Sequence, residues 1–429
     1  MINFDRRQFL GLVGAGTAGL ILSGCVRKPA SSDASGPTIK AADPATAKGT
    51  VEYWNHFTGA DERLGFEAVT SGFAKKYPGV TLSNQSIPLA DFMTKFTTAV
   101  QAKTTPDALM VIANRVNEMV GMNGLIDLTA AVSAWSGHSD IADKLISPFQ
   151  RNGKTYAIPA ALFVDWFYYR KDWLDEAGVT TPPATWQEFR AVAKEITTSK
   201  RYGFALRGGS GGGEPILKMI RAYNGPFVDG GGAPTLKADA VAAALEEYSA
   251  PYLIDKSAPP SAPADGYNQI FQSLFTGQAG MLWHHTGSLK SVSAALHPTV
   301  QVMTAPLPSH QGSEMGWVQP LGNGLASTAN AENALAWLEY WGSAQPQVDM
   351  FKATGYFPAS TPGQTLAGST PMLDAALTTV KKGITPEYFN GMSAWQDNTV
   401  LVQYQSLLVG KTTISAAANV IVADFKKNF

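Results

Sequence analysis

A tryptophan followed by two histidines stands where a buried strand is predicted to end. Trp283, His284 and His285 follow the apolar residues 279–282 and precede a threonine–glycine turn. Aromatic rings can stack on the apolar face of a sugar, and imidazoles can hydrogen-bond its hydroxyl groups. The alternative is a core tryptophan beside solvated histidines. Neighbours in a strand point to opposite faces, so we expect no metal ion shared by His284 and His285.

Asp165 is an acidic residue within the apolar run 162–169. A buried carboxylate without a partner is costly. Two ligand hydroxyls would satisfy it, and so would an internal cation such as an arginine. Trp166 is either a ligand platform beside it or a core residue. Trp317 and Trp395 lie in stretches without clear periodicity, which favours loops, and both are candidate platforms in a cleft.

Three glycine-rich segments invite a nucleotide-binding interpretation. Residues 207–214 lack a lysine–serine/threonine ending, and Gly410-Lys411-Thr412-Thr413 has Gln405 where the first P-loop glycine belongs. Residues 14–19 match G-x-G-x-x-G, but a polar tether follows them instead of a helix. We therefore expect no nucleotide cofactor. Arg207 remains a candidate contact for an anionic ligand such as a glycerophosphodiester.

The start of the chain has the features of an export signal. Arg6 and Arg7 precede an uncharged run, 9–22, which is too short to span a bilayer. The arginine pair resembles a twin-arginine signal, although Asp5 stands where that signal has serine or threonine. Residues 22–25, Leu-Ser-Gly-Cys, resemble a bacterial lipobox. We expect Cys25 to be lipidated, by an export route that is either twin-arginine or general secretory.

Composition excludes several classes of protein. Cys25 is the only cysteine, which rules out an intramolecular disulfide and any multi-cysteine metal site. The formal net charge of −1 argues against nucleic-acid binding, which requires a basic face. With 10 Trp and 14 Tyr but only 16% charged residues, the surface suits neutral polyhydroxylated ligands. About 380 residues follow the tether, enough for two domains.

The mature chain opens with alternating strands and helices. Residues 49–55 alternate like a strand, 61–77 have helical spacing, 80–87 form a second strand, 90–102 a helix and 107–113 a third strand. This βαβαβ pattern predicts a parallel sheet covered by helices. Ligands bind beyond the carboxyl ends of such strands. The residues at these strand ends, and therefore candidate ligand contacts, are Trp54, Asn55, His56, Asn114 and Arg115.

Further along, the pattern predicts a second α/β region. Residues 152–159 indicate a hairpin that leads into an extended crossing, and 162–169 a strand. Thr185 to Glu188 form a capping box before another helix. The region extends to about Val302, and residues 304–308 indicate a second crossing. Two lobes joined by several strands are suited to hinge closure around a ligand.

Landmarks along nearly the whole mature chain resemble one family, the extracellular solute-binding proteins of ABC importers, in the group of maltose-binding protein. The landmarks are residues 51–54, 73–80, 105–108, 124–128, 156–159, 167–174, 275–281, 305–308 and 354–358. The resemblance implies an α/β fold of two lobes. Each lobe has a mostly parallel sheet flanked by helices, and a hinged ligand cleft separates them. It implies a receptor without catalysis or cofactor, which delivers a sugar to a membrane permease.

The resemblance also nominates ligand contacts, which come from several strand ends and turns. They are Trp54, Asn55, His56, Asn114, Asp165, Trp283, His284, the glycine-containing turn with Gly322 and Asn323, and Tyr356. Together with Arg115, Trp166, Arg207, Trp317 and Trp395, these form the predicted site.

The predicted organisation has four parts. Residues 1–24 are the export signal and 25–48 a lipidated flexible tether. Residues 49–158 and 306–354 form the N-terminal lobe, and 159–305 and 355–429 the C-terminal lobe. We expect a monomer anchored on the outer face of the cytoplasmic membrane, or periplasmic. A carbohydrate-active enzyme is the competing class. It needs two carboxylates about 5 to 10 Å apart, and Asp165 has no convincing acidic partner in the sequence.

Overall fold

The structure is a computed structural model that describes residues 39–296, 301–327 and 329–429. The predicted export signal and Cys25 lie outside these ranges. Within them, the strands are β1 Gly49–Asn55, β2 Val80–Ser86, β3 Ala108–Ile112, β4 Gln150–Arg151, β5 Lys154–Thr155, β6 Ile158–Arg170, β7 Tyr202–Phe204, β8 Ala279–His285, β9 Val302–Ala305 and β10 Val318–Leu325.

Helices surround these strands. They are α1 Ala60–Lys76, α2 Leu89–Ala102, α3 Val116–Gly121, α4 Thr129–Ala134, α5 Asp143–Ile146, α6 Lys171–Glu176, α7 Trp186–Glu195, α8 Gly213–Asn224, α9 Ala238–Leu253, α10 Tyr267–Phe275, α11 Leu289–Ala295, α12 Ala331–Gly342, α13 Ala344–Thr354, α14 Thr361–Ala367, α15 Pro371–Lys382, α16 Met392–Trp395, α17 Leu401–Leu408 and α18 Ile414–Phe425. In the described ranges, no helix has the length and apolarity needed to cross a membrane.

The large sheet has the strand order β2-β1-β3-β10-β6-β8-β7, and β9 also pairs with β6. Strands β1, β2 and β3 are parallel, as are β7 and β8. Between these parallel sets, β10 and β6 run antiparallel to their neighbours. The first part of β6 pairs with β10 and its second part with β8 and β9. One continuous strand therefore joins the two halves of the molecule.

Local sequence explains where the first helix lies. In α1, Phe66, Val69 and Phe73 are buried at helical spacing. The Glu62 carboxylate accepts the N–H groups of Thr58 and Gly59 at 2.9 and 2.8 Å, which satisfies donors at the helix start. A proline–glycine pair follows the helix and prevents its continuation.

Three hydrophobic cores hold the sheet and helices together. The largest packs α1, α12, α13 and α15 against β1, β6 and β10. A second fills the space between β7, β8, α7, α8, α9, α17 and α18. A third lies on the opposite face of β1 and β3, under α2 and α3. The first half of the molecule therefore has cores on both sheet faces. The largest core continues into the second half through α10, α11 and β8, and the second core lies within the second half.

The return to the first half differs from the sequence prediction. Residues 304–308 were expected to make the second crossing, but β9 ends at Ala305 and β10 makes the return. The predicted turn at Gly322 and Asn323 is also wrong, because both residues are buried inside β10. A side chain at Gly322 would approach the Ile158 carbonyl to 2.9 Å, so glycine fits here because neighbouring strands are close.

Candidate ligand-binding cleft

A cavity of about 550 Å³ lies between the two halves. The first half contributes the N-terminus of α1, and the second contributes the end of β8 and the start of α10. The lining residues are Gly59, Ala60, Asp61, Glu62, Phe163, Arg207, Tyr267, His284, His285, Gly287, Ser291, Thr354 and Tyr356. Of the predicted site residues, this cavity brings together Arg207, His284 and Tyr356.

The two histidines at the end of β8 face the same cavity. Their ring centroids are 4.2 Å apart, and the planes are tilted by 38°. The sequence argument that neighbouring strand residues diverge is wrong here, because the strand ends at His285 and the chain turns into a short 3₁₀ segment. Among the described residues, no group of three or more His, Cys, Asp or Glu side chains could hold a metal ion.

Burial keeps both imidazoles neutral at physiological pH. It lowers the pKa of His285 to about 4, with Lys218 and Arg207 acting in the same direction and Glu214 opposing them. It also lowers the pKa of His284 well below the ordinary value, and the neighbouring His285 adds to this effect. A neutral imidazole has one donor and one acceptor nitrogen, which suits hydroxyl groups.

Aromatic rings and a carboxylate form the wall next to His285. The Phe163 ring stacks on the His285 ring at 4.4 Å between centroids. Tyr356 meets the edge of Phe163 at 4.9 Å, and its hydroxyl donates to the Glu62 carboxylate. Glu62 also caps α1, so the same side chain fixes the helix start and the tyrosine. This wall therefore depends on the folding of α1.

Arg207 brings a positive charge to the cavity. Its Nε donates to the Ser210 carbonyl at 2.7 Å, and no described carboxylate lies within 4 Å of its guanidinium. Burial lowers its pKa, although Glu214 counters that effect. The loop after it has Gly211 at φ +78°, where a β-carbon would lie 1.9 Å from the guanidinium. Glycine at this position thus leaves room for the arginine.

A buried ion network lies beneath the histidines. Lys218 on α8 is 2.9 Å from Asp165 on β6 and 2.8 Å from Glu214 one helical turn earlier. Asp165 also accepts from the backbone N–H of Trp317 at 2.7 Å, and the Gln319 side-chain amide donates to Glu214 at 2.7 Å. Of the two partners expected for Asp165, ligand hydroxyls or an internal cation, the structure shows the internal cation. It is a lysine and not the arginine given as the example.

The two carboxylates respond differently to the shared lysine. Burial raises the pKa of Asp165 to about 7, although Lys218 pulls it down, because the side chain is fully enclosed. Burial opposes ionisation of Glu214 too, but Lys218 and His285 outweigh it and lower the pKa to about 2. The network borders a recess of only about 10 Å³ shared with Arg207, His284 and His285, so it supports the cavity floor.

The structure does not bring the predicted tryptophan platforms to the cavity wall. Trp283 packs in the second core, with its ring 5.3 Å from that of Trp186. Trp166 and Trp317 are also buried, and Trp317 lies under the Lys218 ammonium. Trp395 donates its indole N–H to the Ile421 carbonyl at 3.0 Å. Large aromatic area drives these residues into cores, and none of the four lines the cavity.

The predicted contacts after β1 mainly hold their own chain. Asn55 is fully buried, and its Oδ1 accepts from Phe57 N at 2.8 Å and from Ser86 Oγ at 3.1 Å. Burial lowers the pKa of His56 to about 4. Trp54 lies in the third core, with the Lys95 ammonium 4.8 Å from its ring. None of these three residues belongs to the cavity lining.

The predicted residues after β3 lie where the halves meet. Asn114 donates to the Ser393 hydroxyl at 3.3 Å, and Ser393 belongs to α16 of the second half. Arg115 donates to the Leu89 carbonyl at 3.2 Å within the first half. Asn323 is enclosed in the sheet and accepts from the Tyr53 hydroxyl at 2.5 Å, far from any open surface.

Ten of the thirteen lining residues lie outside the predicted site, among them Phe163, Glu62, His285 and Tyr267. Phe163 precedes Asp165 by two positions, so strand alternation could have nominated it. Glu62 lies in the first turn of the helix that follows β1, and His285 adjoins the nominated His284. Tyr267 has no such signal, because its position depends on how α10 packs beside β8.

A family comparison identifies the class of protein. Residues 57–348, more than half of the chain, match the family described as bacterial extracellular solute-binding protein. The chain belongs to this family. Its members are binding proteins, so the predicted receptor class is confirmed over the enzyme class. An extracellular family also agrees with the predicted export.

The sequence relatives match only part of this chain, whereas solved structures match most of it. A binding protein of Brucella abortus (strain 2308) is 32% identical over 145 residues, which cover 33% of this chain and 35% of the relative. The match thus spans about a third of that relative. The GacH receptor of Streptomyces glaucescens, solved without ligand and with acarbose, has a TM-score of 0.78, 21% identity and coverage of 89% and 98% of the two chains.

A further solved structure gives the same architecture. The sugar-binding protein MalE of Xanthomonas citri has a TM-score of 0.78 at 18% identity. The alignment covers 88% of this chain and 97% of the MalE chain. At such identities the similarity shows the fold alone. The predicted two-lobed α/β periplasmic-binding-protein fold is therefore confirmed.

Proposed function

We propose that this solute-binding protein captures a sugar or oligosaccharide in the cavity between its halves. The observation that carries the proposal is the lining of that cavity. It combines the rings of Phe163, Tyr267 and Tyr356 with two neutral imidazoles and the carboxylate of Glu62. Aromatic rings match the apolar face of a sugar, and the polar groups match its hydroxyls. The sugar-binding proteins that share the fold support this choice.

The captured ligand is delivered to a membrane permease of an ABC importer. Because the cavity is lined by both halves, a bound sugar stabilises the closed arrangement over the open one. The permease then recognises the closed surface. This step is proposed from family membership and from the position of the cavity.

A glycerophosphodiester is the second candidate ligand. Arg207 favours it, because its guanidinium lines the cavity and has no described acidic partner within 4 Å. Against it, Asp61 and Glu62 line the same cavity and repel a phosphate. The balance of charge favours the neutral sugar.

Calorimetry with mono- and oligosaccharides, polyols and glycerophosphocholine tests the proposal, together with an assay for product formation. We expect one neutral saccharide or polyol to bind and to be recovered unchanged. Tyr267→Ala should weaken its binding about tenfold through lost stacking, whereas Tyr252→Ala, outside the cavity lining, should not. Turnover of the ligand, or binding of glycerophosphocholine alone, would contradict the proposed function.

We also propose that a lipid on Cys25 anchors the protein to the membrane. The lipobox-like residues 22–25 support this, and anchoring raises the effective concentration near the permease. Cys25→Ala should abolish labelling by radioactive palmitate and release the protein from the membrane pellet. An unchanged, labelled pellet would rule out this anchor.

A further inference from the structure

A buried serine lies at the centre of a hydrogen-bond cluster behind the two cavity histidines. The Ser288 hydroxyl oxygen is 2.8 Å from the His285 carbonyl, 3.0 Å from His284 Nδ1 and 3.1 Å from the Tyr168 hydroxyl. Ser288 and Tyr168 are both fully buried, and neither belongs to the cavity lining. Each proton in this cluster must therefore have a partner within it.

The available protons determine the roles of the groups. The His285 carbonyl can only accept, so the contact at 2.8 Å requires the Ser288 proton. The Ser288 oxygen then accepts from the Tyr168 hydroxyl and from a proton on His284 Nδ1, and all three contacts are satisfied. If Ser288 instead donated to His284 Nδ1, its oxygen and the carbonyl would face each other without a proton. The satisfied arrangement places the ring proton of His284 on Nδ1.

The neighbouring ring has the opposite tautomer. The backbone N–H of Gly287 donates to His285 Nδ1 at 3.1 Å. A backbone N–H is always a donor, so this nitrogen has no proton, and the neutral ring has its proton on Nε2. The side-chain hydrogen bonds of the two rings to described residues both involve Nδ1, which leaves each Nε2 available to a ligand, and both residues line the cavity.

We propose that Ser288 is a positioning residue that fixes His284 as an acceptor at Nε2 beside His285, a donor at Nε2. This inference rests on the proposed function and adds a selectivity to it. The pair is complementary to two neighbouring hydroxyls of a sugar, of which one donates to His284 and the other accepts from His285. A ligand with two acceptors, such as a carboxylate, mismatches the pair at His284.

Nitrogen NMR of the histidine rings tests the assignment directly. The full-length protein has six histidines, so a ¹⁵N-histidine sample gives few signals, which His284→Gln and His285→Gln assign. At pH 7 we expect His284 protonated on Nδ1 and His285 on Nε2. Ser288→Ala should shift His284 towards the Nε2-protonated form, and Ser288→Thr should restore the original pattern. Tyr168→Phe is the matched control, since it removes a bond to Ser288 without touching His284.

Binding measurements with maltose and D-mannitol test the consequence. For whichever sugar binds, Ser288→Ala should weaken binding about tenfold, while Tyr168→Phe leaves it within about twofold. A wild-type His284 protonated on Nε2, or a Ser288→Ala spectrum identical to wild type, would overturn the inference. If the tautomers are as expected but neither sugar binds, the proposed function fails for these sugars while the role of Ser288 stands.

Discussion

At the scale of single residues, Lys218 is the group on which the cavity floor depends. It is the only described cation in contact with both Asp165 and Glu214. Lys218→Met keeps most of the side-chain volume but leaves both carboxylates without a cation. We expect a loss of about 3–5 kcal/mol in the free energy of unfolding at pH 7, measured by urea titration.

The matched control for this change is Lys171→Met. Lys171 pairs with Asp175 one turn later on the surface, and both side chains are about half exposed. Its replacement should cost less than about 1 kcal/mol. Equal losses in the two variants would show that the buried network has no special role in stability.

Asp165 also predicts how stability depends on pH. Its pKa is raised to about 7 in the folded state, so the folded protein retains this proton at pH values where the unfolded chain has lost it. The folded state then binds more protons, and the contribution of Asp165 to stability declines as pH rises from about 4 to 7. Asp165→Asn should flatten this part of the profile. An unchanged slope in urea titrations at several pH values would contradict the raised pKa.

Residue types alone predicted that Asp165 needs a partner, but they did not predict which tryptophans are buried. The cost of a buried carboxylate correctly required a partner for Asp165, but the lysine comes from α8, a helix distant in sequence. Trp283, Trp317 and Trp395 were candidates because their stretches carry polar or turn-forming neighbours. Their indoles are nevertheless buried in the second core, since tertiary packing decides which way a tryptophan at a strand end or in an irregular segment points.

At the scale of elements, hydrophobic periodicity predicted most helices and strands of the first half. The predicted strand 49–55 has the observed bounds, and α2 begins one residue earlier than expected. Strand β10 was missed because Gly322-Asn323-Gly324 has the composition of a turn. In the sheet, these residues are needed for close contact with the carbonyls of Ile158 and Tyr156, which no local pattern reveals.

The glycine-rich loop before α8 gives a prediction for an element. Gly211→Ala forces a β-carbon onto the Arg207 guanidinium at a position with φ +78°. Gly232→Ala has the same backbone problem at φ +83°, but nothing lies within 4 Å of its β-carbon. Both should lose about 1 kcal/mol of stability. Only Gly211→Ala should also weaken sugar binding in calorimetry, and equal affinities of the two variants would remove Arg207 from the site.

At the scale of the whole molecule, the two halves meet at the cavity and also on either side of it. Strands β6 and β10 join them covalently, and Tyr388 packs against both the second and the third core. Asn114 and Asn117 of the first half donate to Ser393 and to the Tyr388 carbonyl, at 3.3 and 3.1 Å. These bonds form only when the halves are close, so they contribute to closure and not to the folding of either half.

The double variant Asn114→Ala/Asn117→Ala should therefore shift the unliganded protein towards the open form. Two bonds of about 1 kcal/mol each predict roughly tenfold to thirtyfold weaker sugar binding. Asn117 also accepts from Arg151 Nε within the first half, so the double variant should in addition lose some free energy of unfolding, whereas Asn114→Ala alone should not. Asn333→Ala is the control, since its amide bonds the Lys48 carbonyl at 3.0 Å within the first half. Small-angle scattering should show a larger radius of gyration for the double variant alone. Unchanged scattering and affinity would mean that the cavity lining by itself determines closure, because the bonds between the halves would then add nothing to it.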